Sequence, residues 1–174
     1  METSVLVVID MQRGVFAQPR FDQAGRVERI NQLIAAAHQT IFIQHVEGEM
    51  QPDSEAWQLL PEIEQPANAL YINKTACDSF WHTTLEAQLT AGAHRGFVIC
   101  GCATDYCVDC TVKTAATKGF RVTVAADAHT TADRTFASAE QLIGQHNEVW
   151  SSLSLPGNAI QVVESAAILQ QWRS

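Results

Sequence analysis

Short apolar runs rich in β-branched residues alternate along the chain with stretches of helical periodicity, and this alternation narrows the fold more than any other feature. The run VLVVI, Val5 to Ile9, has no polar face, as expected of a strand buried on both sides. A helical pattern follows, with Val27, Ile30, Ile34 and Ala37 on one face. TIFIQHV and ALYIN read as the next strands, separated by an irregular stretch from Glu47 to about Asn68. Thr83 to Ala91 reads as a helix carrying Leu85 and Leu89, and GFVICG as a strand. A helix is predicted from Asp105 to Lys118, ended by Gly119 just past its last turn. FRVTVAAD, a helix from about Ala132 to Ser152, AIQVV and a helix from Ser165 to Trp172 complete the pattern. Such a sequence of elements predicts a three-layer α/β/α fold around a mostly parallel, Rossmann-like open sheet. The 174 residues fit a single domain, 1–174.

Open sheets of this kind bind ligands at the carboxyl ends of their strands. Asp10, His45, Lys74, Gly101 to Cys107 and Asp127 are therefore the candidates. No GxGxxG segment follows the first strand and no P-loop occurs, which argues against dinucleotide and nucleoside-triphosphate chemistry. Charged residues make up only 17% of the chain, below the roughly 25% usual for soluble domains, so a charge at the end of an apolar run is informative. The formal charge of -8 argues against a nucleic-acid or anionic-membrane surface. No apolar run is long enough to span a bilayer, and METSVLVVIDMQ lacks the features of a signal peptide. The expected location is the cytoplasm, where thiols stay reduced.

Against that expectation the five cysteines stand out, four of them between positions 100 and 110. In ICGCATDYCVDC a strand runs through a glycine turn into a helix, with Thr104 as the expected N-cap. Cys107 then falls in the first helical turn, where free backbone N–H groups favour an anion and can lower a thiol's pKa. The same amides could receive an oxyanion. Zinc would need four sulfurs presented tetrahedrally, which alternate strand residues followed by a helix do not supply. Cys107 and Cys110 have redox spacing without the rest of a thioredoxin-like pattern. Cys100 and Cys110 read as small buried hydrophobes. Asp10 fits either a turn cap or a partly desolvated general base. Lys74 fits either an exposed loop or a cation that balances Asp10 and a thiolate.

Five segments in this order resemble the isochorismatase-like cysteine hydrolases, the superfamily that includes nicotinamidases. They are VLVVIDMQRGVF, IFIQHV with DSEAWQLLPEI, INKTACDSFWHTTLEAQL, GFVICGCATDYCVDCTVKTAATKGFRVTVAADA and HNEVWSSLSLPGNAIQVV, covering nearly the whole chain. The resemblance implies Cys107 as nucleophile, Asp10 as general base and Lys74 as its cationic partner. It also implies a cis peptide before Ala103, with the Ala103 and Cys107 amides forming the oxyanion hole. The implied reaction is cysteine-dependent hydrolysis of a C–N bond in a small amide-like molecule. Vinyl-ether hydrolysis driven by Asp10, or a non-catalytic binding protein on the same fold, are the alternatives.

Two departures sharpen this. Nicotinamidases carry a metal-binding Asp-x-His segment and a further histidine before the lysine. From Glu47 to Lys74 this chain has no histidine, so neither a metal nor any other cofactor is expected. Isochorismatases that cleave vinyl ethers can lack the cysteine, whereas Cys107 is present here. His45 could contact substrate, orient a water or be structural, and Phe16, Trp57, Phe80 and Tyr106 could wall an apolar pocket or be ordinary core. Asp127 reads as structural, and His38, His82, His94 and His146 have no ligand spacing. Family members are usually homo-oligomers, so a dimer or tetramer is expected, with a small-molecule substrate and neither nucleic acid nor membrane as partner.

Overall fold

Val5–Ile9 forms β1, and all five of its residues are buried. A strand without a solvent face must lie inside its sheet, with helices over both surfaces. The computed structural model describes residues 4–173, so Met1 to Thr3 and Ser174, the ends of the expected domain, lie outside it. In it β1 pairs on one side with β2 (Gln39–His45) and on the other with β4 (Gly96–Cys102). β3 (Leu70–Lys74), β5 (Arg121–Thr130) and β6 (Gln161–Val163) complete six strands in the order β3-β2-β1-β4-β5-β6. Every pairing is parallel.

Period-two alternation divides β1 between two cores. Val5, Val7 and Ile9 join the cluster that contains Leu85 and Leu89 of α2 (Leu85–Ala91), Val112 of α3 (Asp109–Thr117) and Trp150 of α4 (Ala139–Ser152). Leu6 and Val8 join the cluster holding Val27, Ile30, Leu33 and Ile34 of α1 (Gln23–Ala36) and Ile168 of α5 (Ser165–Arg173). The helices thus lie on both sheet faces, giving a single α/β/α domain.

Several boundaries differ from the predicted ones for identifiable reasons. The helix predicted from Ala132 begins at Ala139, because Ser138 and Gln141 form a reciprocal capping box there. Thr83 does not start α2; its hydroxyl donates to Ser79 O and accepts from the Leu85 amide, holding a turn instead. β5 runs past Asp127 to Thr130, through a bulge that pairs Gly101 with His129 and Cys102 with Thr130. Asp127 is therefore within the strand, where its carboxylate accepts from the backbone N–H and hydroxyl of Ser165, both at 2.8 Å, at the start of α5. Gly119 adopts φ +92 after α3, as its predicted helix-ending role requires.

The irregular stretch between β2 and β3 has no helix or strand, yet it is tied down. Leu59, Leu60 and Ile63 enter the core, and the amides of Arg13 and Gly14 donate to Gln58 O and Ala56 O.

Candidate active site

The strand order turns back between β1 and β4, and a doubly wound sheet leaves a crevice at the carboxyl ends of such strands. Asp10 follows β1 with φ +48, a left-handed conformation that aspartate tolerates better than most residues, and its amide donates to Ile43 O at 3.0 Å. His45 and Lys74 end β2 and β3 and are register partners. Lys74 Nζ lies 2.9 Å from Asp10 Oδ2, 2.7 Å from His45 Nδ1, 3.0 Å from Ala76 O and 3.2 Å from Cys107 Sγ. An ammonium has three protons for these four neighbours, so at least one is shared. His45 Nδ1 must accept from the ammonium, which leaves Nε2–H to face Glu47 Oε2 at 3.1 Å. Gln12 holds His45 from behind: its side chain accepts from His45 N at 2.7 Å and donates to His45 O at 3.0 Å.

Asp10 and Lys74 are almost wholly removed from solvent. Burial raises the Asp10 pKa, and the charge and hydrogen bond of Lys74 only partly offset it. Burial alone would lower Lys74, but Asp10 and Cys107 outweigh it and hold the ammonium protonated. The expectation of a lowered Cys107 pKa is overturned. Burial and the neighbouring Asp10 carboxylate push the thiol up, and Lys74 pulls it back only partly. The cause is charge balance: one ammonium matches one anion, whereas carboxylate and thiolate together would leave an uncompensated buried charge. One proton is therefore retained between Asp10 and Cys107, and Asp10 Oδ1 is buried with no hydrogen-bond partner.

Among the described residues, Asp10, His45 and Cys107 bring potential metal-ligand atoms within 4.8 Å of one another. The ammonium of Lys74 contacts all three, so it fills the place a cation would take. The cysteine-rich segment does not converge on one point. Cys100 and Cys102 are buried in β4, and burial pushes the Cys102 thiol up to about 12 and raises Cys100 further. Burial also raises Cys110.

Beyond β4 the Cys102–Ala103 peptide is cis. The chain then makes a π-turn, Thr104–Val108, before α3. Ala103 O accepts from the amides of Tyr106 and Val108, which flank Cys107, both at 3.1 Å. Thr104 is not the expected side-chain cap. It is buried and hydrogen-bonded to His129 instead. Nor is Gly101 a simple elbow: it lies within β4 at φ +116, where an added Cβ would stand 2.2 Å from Ile9 O. Only glycine lets β4 approach β1 this closely.

The predicted pocket aromatics separate. Tyr106, 53% exposed, has the Arg134 guanidinium 4.8 Å over its ring. Trp57 reaches Asn73, the neighbour of Lys74, through its indole N–H, and Phe16 lies in the short helical turn Val15–Ala17 after β1. Phe80 does not face the cluster. Its ring stacks on Phe120 at 5.8 Å, where β5 begins, at the far end of α3 from Cys107.

Residues 4–149 match the isochorismatase domain family. The chain belongs to the isochorismatase family. An isochorismatase family protein of known structure is 28% identical, with a TM-score of 0.85 over 92% of this chain and 98% of the other. A hydrolase of the isochorismatase family from Chromobacterium violaceum is 26% identical, with a TM-score of 0.84 over 99% and 95%. Streptothricin hydrolase from Streptomyces noursei is 30% identical over 138 residues, 74% of this chain and 54% of that protein. The chain thus spans about half the length of the curated relatives it matches.

In this isochorismatase-family chain the predicted Asp10, His45, Lys74 and Cys107 meet at one point. Gln12 and Glu47 were not anticipated. Gln12 lies two residues past the Asp10 signal, and nothing local says that its amide reaches across to β2.

Proposed function

We propose that this chain hydrolyses a C–N bond of a small amide-like molecule through a covalent acyl-enzyme on Cys107. One observation carries the reading: a buried ammonium, Lys74 Nζ, touches both a carboxylate with an unpartnered oxygen and the sulfur of a half-buried cysteine. Asp10 takes the thiol proton as the sulfur attacks the carbonyl carbon. Lys74 stays protonated between the two groups and pairs with the negative charge as it moves from carboxylate to sulfur. The oxyanion is received by the backbone amides of Ala103 and Cys107. Asp10 passes its proton to the leaving nitrogen as the C–N bond breaks. Water then attacks the thioester, giving one proton to Asp10, which returns it to the departing sulfur. The balance is amide plus water to acid plus amine. The naming of the Streptomyces noursei relatives as hydrolases supports the class of reaction.

The test is a panel of small amides, ureides and carbamates assayed for release of ammonia or amine. Turnover is expected on at least one, falling on the order of 10³-fold or more in Cys107→Ala. A second reading is favoured by the raised Asp10 pKa, which lets this carboxyl hold a proton and deliver it to a vinyl ether. Activity on an enol ether that survives Cys107→Ala would select it. Tight binding with no turnover would select a binding protein. A cytoplasmic enzyme with a small-molecule substrate, acting as a dimer or tetramer, belongs to the same proposal.

A further inference from the structure

Behind the loop that carries Cys107 runs a chain of polar groups. Thr104 Oγ1 lies 2.7 Å from His129 Nδ1, and His129 Nε2 lies 2.8 Å from Asn147 Oδ1. Asn147 Nδ2 donates to Ala126 O at 3.0 Å. The direction of every link follows from the last one. A carbonyl only accepts, so Asn147 turns its N–H to Ala126 and its oxygen to His129. His129 must then donate from Nε2, which leaves Nδ1 as an acceptor. The Thr104 hydroxyl supplies the proton.

Thr104 and His129 are both fully buried, and the Trp150 ring packs edge-on against the imidazole at 5.2 Å. Burial lowers the His129 pKa to about 4, so the ring is neutral and Nδ1 accepts throughout the neutral range. Thr104 follows Ala103 directly and precedes Cys107 by three residues, so its side chain grips the segment between the cis peptide and the cysteine. The other end of the chain is anchored on β5, paired with the end of β4, and on α4.

We infer that Thr104, His129 and Asn147 are positioning residues, which hold the Ala103–Cys107 backbone in the geometry that receives the developing oxyanion. This rests on Cys107 as nucleophile. It separates two reactions of one sulfur. Attack on an ester carbonyl passes through an oxyanion, whereas displacement of iodide from iodoacetamide does not.

The experiment compares them. p-Nitrophenyl acetate acetylates the Cys107 sulfur as nitrophenolate departs, and the burst is followed by absorbance. Alkylation of Cys107 by iodoacetamide is followed by mass. In Thr104→Val the burst rate is expected to fall about 10- to 100-fold, the scale of a misplaced reacting group, with alkylation changed less than about threefold. Thr104→Ser, which keeps the hydroxyl, is expected to restore the burst to within about threefold of wild type. Asn147→Ala, at a half-buried helix position, frees the imidazole and should act in the same direction; it decides the matter should Thr104→Val fail to fold. Equal slowing of both reactions, an unchanged burst, or no restoration by serine would overturn the inference alone. A burst undiminished in Cys107→Ala would instead overturn the nucleophile reading, and this inference with it.

Discussion

Lys74 shows how much a single residue's meaning depends on what surrounds it. From spacing alone it reads rather as an exposed loop lysine; in the fold it is a strand residue whose ammonium has four neighbours. Lys74→Met would leave the Asp10 carboxylate buried without its counter-charge. Urea denaturation is expected to show a loss of about 3–5 kcal/mol, partly recovered when Asp10→Asn is added to the same chain. His129 makes a second residue-scale prediction. Burial lowers its pKa from 6.5 to about 4, with minor contributions from Asn147, Arg26, His146 and Asp127. The folded chain therefore keeps the ring neutral, while the unfolded chain takes up a proton below about pH 6.5. This contribution is complete above pH 6.5 and is lost as the pH falls toward 4, on the order of 3 kcal/mol in all. Denaturation of wild type and His129→Gln at pH 7, 5.5 and 4 should show a shallower acid decline in the variant. Equal slopes would refute it.

At the scale of elements, apolar periodicity places β1 at Val5–Ile9, the end of α2 at Ala91 and the start of α5 at Ser165, as the structure does, but not the start of α4. VLVVI is the interior strand that its lack of a polar face predicts, and Leu85 and Leu89 do face the core. The start of α4 was readable from Ser138 and Gln141, a capping signal that weighs more than the alanines before it. Ser138→Ala is expected to cost about 1 kcal/mol in thermal or urea unfolding. Gly101 is the opposite case. A glycine before a cysteine-rich turn suggests an elbow, but the close approach of Ile9 is visible only when β1 and β4 are paired. Gly101→Ala would force a Cβ into that backbone at a left-handed φ, at an expected cost of about 2–4 kcal/mol by urea denaturation. A loss below about 1 kcal/mol would show that the two strands can part.

For the molecule as a whole, the parallel α/β/α architecture was legible because every strand–helix alternation repeats the same packing unit. The association state was not, since nothing in the pattern of exposed residues marks a partner. Phe136, 99% exposed, lies in the segment between β5 and α4. Sedimentation equilibrium is expected to give two or four times the chain mass of 19.1 kDa; a monomer at micromolar concentration would reject that expectation. Taken alone, the sequence determined the fold class, the single domain and the shortlist of strand-end residues, because hydrophobic periodicity and the succession of elements along the chain are local properties. Tertiary structure decided the rest. It brought Asp10, His45 and Cys107, from the ends of β1 and β2 and the turn after β4, to the ammonium of Lys74 at the end of β3, and moved Phe80 away from them. It also reversed the expected shift of the Cys107 thiol. Distances and desolvation arise only when strands remote in sequence are laid side by side, and they set what each of these side chains can do.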